Sequence, residues 1–451
     1  MGAFPSGQRG QTVNLLSIDF GGPNPPAPTK TAIRRVAVFF IFGGGFMKTT
    51  RSFPSFVVSK KAAESIKSGH PWVFEDEIRE RPENIDNGSV VDVLSEKGTY
   101  LGSGLLSEHS KIRIRILSNN ANESFDNDFF ARRIKYAVDY RLAVMKDDFS
   151  SCRLVFGEAD GLPGVTIDKY ENILVSQILS YGMEKRKDVI YSSICRKLSE
   201  CGVSVKGIYE RSESNIRSLE GLDALDGWYS KDDDTEGVIQ ITENGIKYNV
   251  DVEHGQKTGF FLDQKYNRLA VSRLASGKTV LDCFTHTGSF ALNAAKGGAD
   301  RVTAIDVSQE AVTNAIENAR INGLDNKIEF RCENVFDTLP RLLEEHAKYD
   351  FIILDPPAFT KSRKTIHDAE RGYKEINFRA MKILPRGGFL ATCSCSHFMD
   401  TDRFVRMLKS AAFDAGVSLK LVGQRRQSPD HPTLLNVPET DYLKFFIFQI
   451  N

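Results

Sequence analysis

Asp282-Cys283-Phe284-Thr285-His286-Thr287-Gly288-Ser289-Phe290 closes a strand-like run, Thr279–Phe284, and opens a helical one, Ser289–Lys296. The pattern D-x-F-x-x-x-G-x-F therefore lies at a strand-to-helix turn. Its single glycine lets backbone approach a ligand closely, and the start of the helix presents free N–H groups. A dinucleotide fingerprint would need G-x-G-x-x-G, so a pyrophosphate binder is disfavoured. A ligand with a carboxylate and a ribose but no phosphate fits better. Asp282, Phe284 and Gly288 are candidate contacts for it.

Outward from this turn, strands and helices alternate. Gly297-Gly298 ends the helix, Arg301–Asp306 reads as a strand, and Ser308–Ile321 reads as a helix ended by Asn322-Gly323. Ile328–Cys332 and Phe351–Leu354 are strand-like. Glu370–Leu384 is helical, with Tyr373, Ile376, Ala380 and Leu384 on one face. Phe389–Cys393 is a strand and Thr401–Ala415 a helix. Such alternation predicts an α/β fold with a mainly parallel, doubly wound, Rossmann-like sheet. No helical pattern separates Leu419–Val422 from Tyr442–Gln449, so an antiparallel terminal pair is expected. Asp306 ends the second strand, where a carboxylate can accept both hydroxyls of a ribose; Ser308 is the better candidate for the helix cap. Asn334 follows the third strand, where its carbonyl can accept from an adenine amine. Together these elements resemble the class I S-adenosylmethionine-dependent methyltransferases. The resemblance spans 251–451 and implies S-adenosylmethionine as the cofactor. Asn334 departs from the Asp usual at its position.

The fourth strand ends in Asp355-Pro356-Pro357-Ala358-Phe359. Strand C-terminal ends line the ligand crevice of an open α/β sheet, so Asp355 would face the reacting group, on a loop stiffened by two prolines. By itself, such a motif points to methylation of an amino nitrogen. The next strand changes that reading, because it ends in Thr392-Cys393-Ser394-Cys395-Ser396-His397. A thiol there can add to C6 of a cytosine and make C5 nucleophilic enough to accept a methyl group. Cys393 is the literal match to a T-C-S signature but suits a buried small hydrophobe inside the strand. Cys395, past the strand end and between two serines, is the preferred nucleophile.

With these residues in view, the chain resembles the bacterial large-subunit rRNA cytosine-5 methyltransferases that carry an N-terminal PUA domain. Further stretches support the resemblance: Gly69-His70-Pro71-Trp72-Val73, Gly157–Gly164, Gln256–Gln264, Gly372–Asn377 and Asp430-His431-Pro432. It implies an RNA-holding PUA domain at 47–127, an α+β domain at 128–250 and the methyltransferase at 251–451. It also implies 23S rRNA as partner, Gln264 and Arg268 near the cofactor's methionine end, and Asp355 hydrogen-bonded to the target cytosine. Related enzymes with two catalytic cysteines carry the second just after the motif proline, where this chain has Ala358; the base that removes the C5 proton is open. Two rival readings remain. One is a guanine N2 or N7 methyltransferase in which the cysteines are bystanders, and the other is a non-catalytic RNA-binding ribosome-assembly protein.

Length and composition agree with several domains. At 451 residues the chain exceeds one ordinary core, and 41% hydrophobic with 26% charged residues reads as globular. The block at 47–127 carries short strand-like runs, Ser89–Leu94, Tyr100–Leu106 and Lys111–Leu117, with glycine turns that suggest a small β-barrel. In the third run, alternation puts Lys111, Arg113 and Arg115 on one face, read either as phosphate contacts or as a solvated exterior. Formal net charge is zero, so cations near the crevice carry the argument for RNA: Lys361, Arg363 and Lys364 follow Asp355 closely, then Arg371, Lys374 and Arg379. Seven sparse cysteines without a CxxC pair argue for a reducing, cytoplasmic compartment and against structural zinc or any other metal. No apolar run reaches the ~20 residues of a membrane helix. A homodimer is an open alternative to a monomer. Residues 1–46, with Gly/Pro-rich 21–28, are read as a disordered leader or a start-site artefact preceding Met47.

Overall fold

A computed structural model describes residues 52–212, 215–255, 258–360 and 362–451. The leader at 1–46, Gln256, Lys257 and the candidate phosphate contact Lys361 lie outside the described residues. The N-terminal part comprises β1 (Ser55–Val58), α1 (Lys60–Lys67), β2 (Trp72–Phe74), β3 (Ile78–Glu80), β4 (Val90–Ser95), β5 (Tyr100–Leu106) and β6 (Ile112–Ser118). Its strands form a sheet in the order β2-β6-β5-β4-β1-β3. Phe56, Val58, Val73, Val91, Val93 and Ile114 fill its core. A Cβ on Gly104 would stand 2.2 Å from the carbonyl oxygen of Arg115, so only glycine lets β5 close on β6.

The alternation expected along β6 is present, but the cationic face is not open to phosphate. Ile114 and Ile116 enter the core, while Arg113 and Arg115 on the other face are also buried. Arg115 pairs with Glu220 at 2.6 Å, and Ser107 Oγ and the Tyr181 N–H donate to the same carboxylate. Arg113 pairs with Glu75 at 2.6 Å and donates to the Ser107 carbonyl. Period-2 alternation tells which side chains share a face; it says nothing of what covers that face. Lys111 alone of the three is exposed.

The central part begins with α2 (Asn127–Met145), capped by Asp126, and β7 (Ser151–Phe156), β8 (Val165–Tyr170) and β9 (Ile173–Ile178). It continues through α3 (Tyr181–Glu184), α4 (Lys187–Glu200), β10 (Gly207–Arg211), α5 (Asn215–Leu219) and β11 (Asp226–Lys231). The sheet order is β11-β10-β9-β8-β7, and α2 and α4 share its core with Leu154, Val165, Ile167 and Leu174. Three of the stretches quoted above join this part to its neighbours. Trp72 Nε1 donates to Glu158 at 3.0 Å, and Asp430 accepts from the Arg153 N–H at 2.8 Å while its carbonyl accepts from Arg141; His70 reaches past this part to Glu439 of the C-terminal part at 3.2 Å. Asp160 and Asp168 are absorbed by the buried Arg141 and the partly buried Arg153.

The hairpin β12 (Val238–Glu243) and β13 (Ile246–Asp251) leads into the C-terminal part and shares its core. That part runs α6 (Lys265–Ser272), β14 (Thr279–Cys283), α7 (Ser289–Lys296), β15 (Arg301–Asp306), α8 (Gln309–Ile321), β16 (Ile328–Cys332) and α9 (Val335–Glu344). It ends with β17 (Phe351–Leu354), α10 (Ile366–Ile383), β18 (Phe389–Ser394), α11 (Thr401–Ala415), β19 (Leu419–Arg425) and β20 (Lys444–Ile450). The sheet order is β16-β15-β14-β17-β18-β20-β19, parallel except for β20, which lies antiparallel between β18 and β19. Val280, Val302, Ile353 and Ala391 face α6 to α8, whereas Leu281, Ile305, Ile352 and Leu390 face α9 to α11. The sheet is therefore doubly wound, as the alternation predicts. α9 carries Pro340 in its interior, which hides a helix whose Val335, Leu339 and Leu342 are nevertheless buried. Strand order reverses between β14 and β17, and ligands of such sheets bind beyond the strand ends at that point.

Candidate active site

Asp282 lies near the C-terminal end of β14 with no exposed surface. Its Oδ2 accepts from Thr285 Oγ1 at 2.6 Å and from the Ala291 N–H at 2.9 Å, which ties the turn to α7. Oδ1 is buried without a hydrogen-bond partner among the described residues. Burial, offset in part by the Thr285 bond, pushes the carboxyl up to about 7. Phe284 (φ 66°), His286 (φ 51°) and Gly288 (φ 78°) are all left-handed. Two such non-glycine residues in one turn are costly and mark a functional loop. Asp306 holds the strained turn: its Oδ2 accepts from the His286 N–H at 2.8 Å and its Oδ1 from the Ser308 N–H at 2.9 Å. Ser308, not Asp306, caps α8. Asn334 caps α9 through the Phe336 N–H and stays exposed.

Beside Asp306 and Asn334 stand two apolar residues that the sequence reading missed. Val307, just past β15, is 73% exposed, and Phe336, in the first turn of α9 after β16, is 40% exposed. Large apolar groups left open beside a polar strand tip suit the two faces of a flat ring. The signal was available: each directly follows the acid or lies within two residues of the amide already singled out.

On the other side of the crevice, Asp355 is half-buried, and burial together with Asp263 pushes it up to about 6. Gln264 Nε2 donates to Asp355 at 3.0 Å, and Asn267 holds Gln264 at 2.7 Å. Arg268, expected near the cofactor's methionine end, has a buried guanidinium that forms a bidentate pair with Glu243 at 2.6 and 2.8 Å and donates to the Phe261 carbonyl. A buried guanidinium needs a carboxylate, and β12, unrecognised in the sequence, supplies one. Cys393 is fully buried within β18, and burial and Asp355 push its thiol well above the ordinary range. Cys395 is half-buried just past the strand, its Sγ 3.9 Å from the Pro356 carbonyl of the Asp355 loop. Lys444, also missed, donates to the Ser396 and Tyr442 carbonyls at 2.7 and 2.8 Å. Tyr373 closes this side with its hydroxyl 3.1 Å from Ser396 Oγ.

Lys364 is exposed, and Arg363 begins a short helical turn, Arg363–Thr365. Further along, Arg371, Lys374 and Arg379 pair with Asp368, Asp414 and Glu375, as on a solvated helix face. Among the described residues no group of His, Cys, Asp and Glu is placed to hold a metal ion, and no helix is long and apolar enough to cross a membrane.

The sequence profile of the family described as S-adenosylmethionine-dependent methyltransferase matches residues 222–449, and that of a PUA-like domain matches 56–119. Ribosomal RNA large subunit methyltransferase I of Klebsiella pneumoniae is 39% identical over 404 residues, covering 89% of this chain and 100% of that protein. The protein of the same name from Erwinia tasmaniensis is 39% identical over 396 residues, covering 87% and 98%. A candidate SAM-dependent methyltransferase structure from Streptococcus mutans superposes with a TM-score of 0.73 at 24% identity, covering 88% of this chain and 99% of that one. A candidate methyltransferase solved with S-adenosylhomocysteine gives 0.75 at 23% identity over the same shares. At such identities the likeness speaks for the fold.

Proposed function

Because the chain belongs to the S-adenosylmethionine-dependent methyltransferases, within the family of ribosomal RNA large subunit methyltransferase I, we propose that it methylates C5 of one cytosine in 23S rRNA through a covalent Cys395 adduct. The residues fit the cofactor: Asp282 has an unpartnered buried oxygen to meet a cationic amino group, Asp306 can add ribose hydroxyls to its acceptors, and Val307 and Phe336 flank room for the adenine. When bound, the cofactor supplies a methyl group on a cationic sulfur.

The chain's own residues do the rest. The Cys395 thiolate adds to C6 of the cytosine, and the C5=C6 electron pair moves onto C5. A protonated Asp355 donates toward the ring nitrogen and makes C6 more electrophilic; its raised pKa leaves a usable protonated fraction near neutrality. C5 then takes the methyl group, a base removes the C5 proton, and the returning electron pair expels the Cys395 thiolate. In the same reading the sheet of 47–127 helps hold RNA, residues 128–250 link it to the catalytic part, Lys111, Arg363 and Lys364 contact phosphates, and the setting is the cytoplasm.

One observation carries the proposal: a half-buried thiol past the tip of β18, 3.9 Å from the backbone of the Asp355-Pro356-Pro357 loop. Nitrogen methylation has no use for it. The test is nucleoside mass spectrometry on 23S rRNA from cells lacking the protein, treated with enzyme and labelled S-adenosylmethionine. Label in 5-methylcytidine that vanishes with Cys395→Ala is expected. Label in a methylguanosine that survives the substitution would overturn the cytosine reading, and absence of any turnover would favour a non-catalytic role.

A further inference from the structure

β20 enters the sheet antiparallel to β18, and its first residue, Lys444, lies in register with Ser394. Its ammonium donates to the carbonyl of Ser396. Strand register thus sets the Lys444 backbone beside Ser394 and this hydrogen bond sets its ammonium beside Ser396, the two neighbours of Cys395 in the chain. The Lys444 side chain is 5% exposed, and among the described residues it has no carboxylate within ion-pair distance. A buried ammonium served only by carbonyls is costly, and an adjacent anion would offset that cost. Two N–H groups are used by Ser396 and Tyr442, which leaves a third. Cys395 exerts the largest upward pull on Lys444, ahead of Asp441 and Asp400, while burial lowers the amine to about 8. From the side of α10, Cys395 meets Tyr373, which burial pushes up to about 12 and which stays neutral, and from β18 it meets Cys393. A cavity of about 410 Å³ lined by His397, Asp400, Asp402, Arg426 and Asp441 opens beside Lys444.

We infer that Lys444 is a positioning residue that favours the thiolate of Cys395, its charge being held at the carbonyl of the neighbouring Ser396. The inference rests on Cys395 being the nucleophile. On ionisation the S–H proton leaves to solvent water, Sγ keeps the electron pair, and Lys444 stays protonated. The advantage fades as Lys444 loses its own proton at alkaline pH.

Alkylation of the full-length chain with iodoacetamide from pH 6 to 9, quantified peptide by peptide, tests this without RNA. Exposed Cys332 is the internal reference, and buried Cys152 and Cys283 report any unfolding. In the wild type the Cys395 profile should rise at least one pH unit below that of Cys332. Lys444→Met should bring the two together and slow Cys395 at pH 7 about tenfold or more, within the range expected for a nearby opposite charge. A wild-type Cys395 profile no lower than that of Cys332 overturns the inference, as does one that Lys444→Met leaves unmoved. Where the variant exposes Cys152 and Cys283, the wild-type profile alone decides. A lowered Cys395 profile without 5-methylcytidine would sink the cytosine reading and keep the pair; the reverse result would sink the pair alone.

Discussion

Asp282 offers the sharpest quantitative consequence. Its rise from 3.8 to about 7 sets on the order of 4 kcal/mol against the ionised form, at 1.36 kcal/mol per pH unit. The causes are burial first, then the charge of Asp355; the Thr285 and Ala291 bonds oppose them. In the unliganded chain the folded state holds more protons at this site than the unfolded state between pH 3.8 and about 7. Stability therefore falls as pH rises across that window. A cationic amino group from the cofactor would reverse the preference, so binding should release a proton below pH 7. If only ionised Asp282 receives the cofactor, Kd should weaken about tenfold from pH 8 to pH 6. Above about pH 8 an α-amino group loses its own charge, so affinity should peak between these limits. Asp282→Asn can still accept the Thr285 and Ala291 bonds. It should abolish the acid limb, lessen the stability slope between pH 4 and 7 to the share that Asp355, raised to about 6, still contributes, and weaken binding at pH 8. Asp355→Asn should shift the acid limb to lower pH, since it removes a like charge. Calorimetric titration with S-adenosylhomocysteine, repeated in buffers of different ionisation enthalpy, counts the released protons. A flat Kd between pH 6 and 8, or an identical slope in Asp282→Asn, would refute the reasoning.

Three further outcomes are expected. Arg115→Met leaves Glu220 charged and buried, so urea unfolding should show a loss of about 3–5 kcal/mol, largely recovered in Arg115→Met/Glu220→Met; at matched folded fraction the salt dependence of RNA binding should not change, and a slope lowered by about one would reinstate Arg115 as a phosphate contact. Phe336→Ala should weaken S-adenosylhomocysteine about five- to tenfold, for a stacking contact of about 1–1.5 kcal/mol, while the melting temperature of the unliganded chain stays within a degree; unchanged affinity would remove Phe336 from the adenine site. Cys393→Ala should cost about 1 kcal/mol of stability and keep 5-methylcytidine formation, and loss of product with intact cofactor binding would shift the nucleophile from Cys395 to Cys393.

Local pattern determined the doubly wound sheet, the strand tips and the antiparallel end of the chain, because hydrophobic period and turn chemistry are written along short stretches. The turn 282–290, Asp306, Asp355 and Cys395 stand at strand ends around the switch point, as their spacing implies. What covers a face is decided only when distant segments meet. Arg113 and Arg115 have the alternation of a surface strand, yet Glu220, over a hundred residues away, draws Arg115 inside. The hairpin of β12 and β13 was legible, since Asn244-Gly245 stands between the alternating Ile239, Ile241 and Ile246, Tyr248, Val250; that its Glu243 meets Arg268, 25 residues on, was not. Lys444 resembles any lysine at a strand start until register brings it opposite Ser394. Buried charge needs a partner, and such partners come from tertiary contacts that local sequence spacing does not encode.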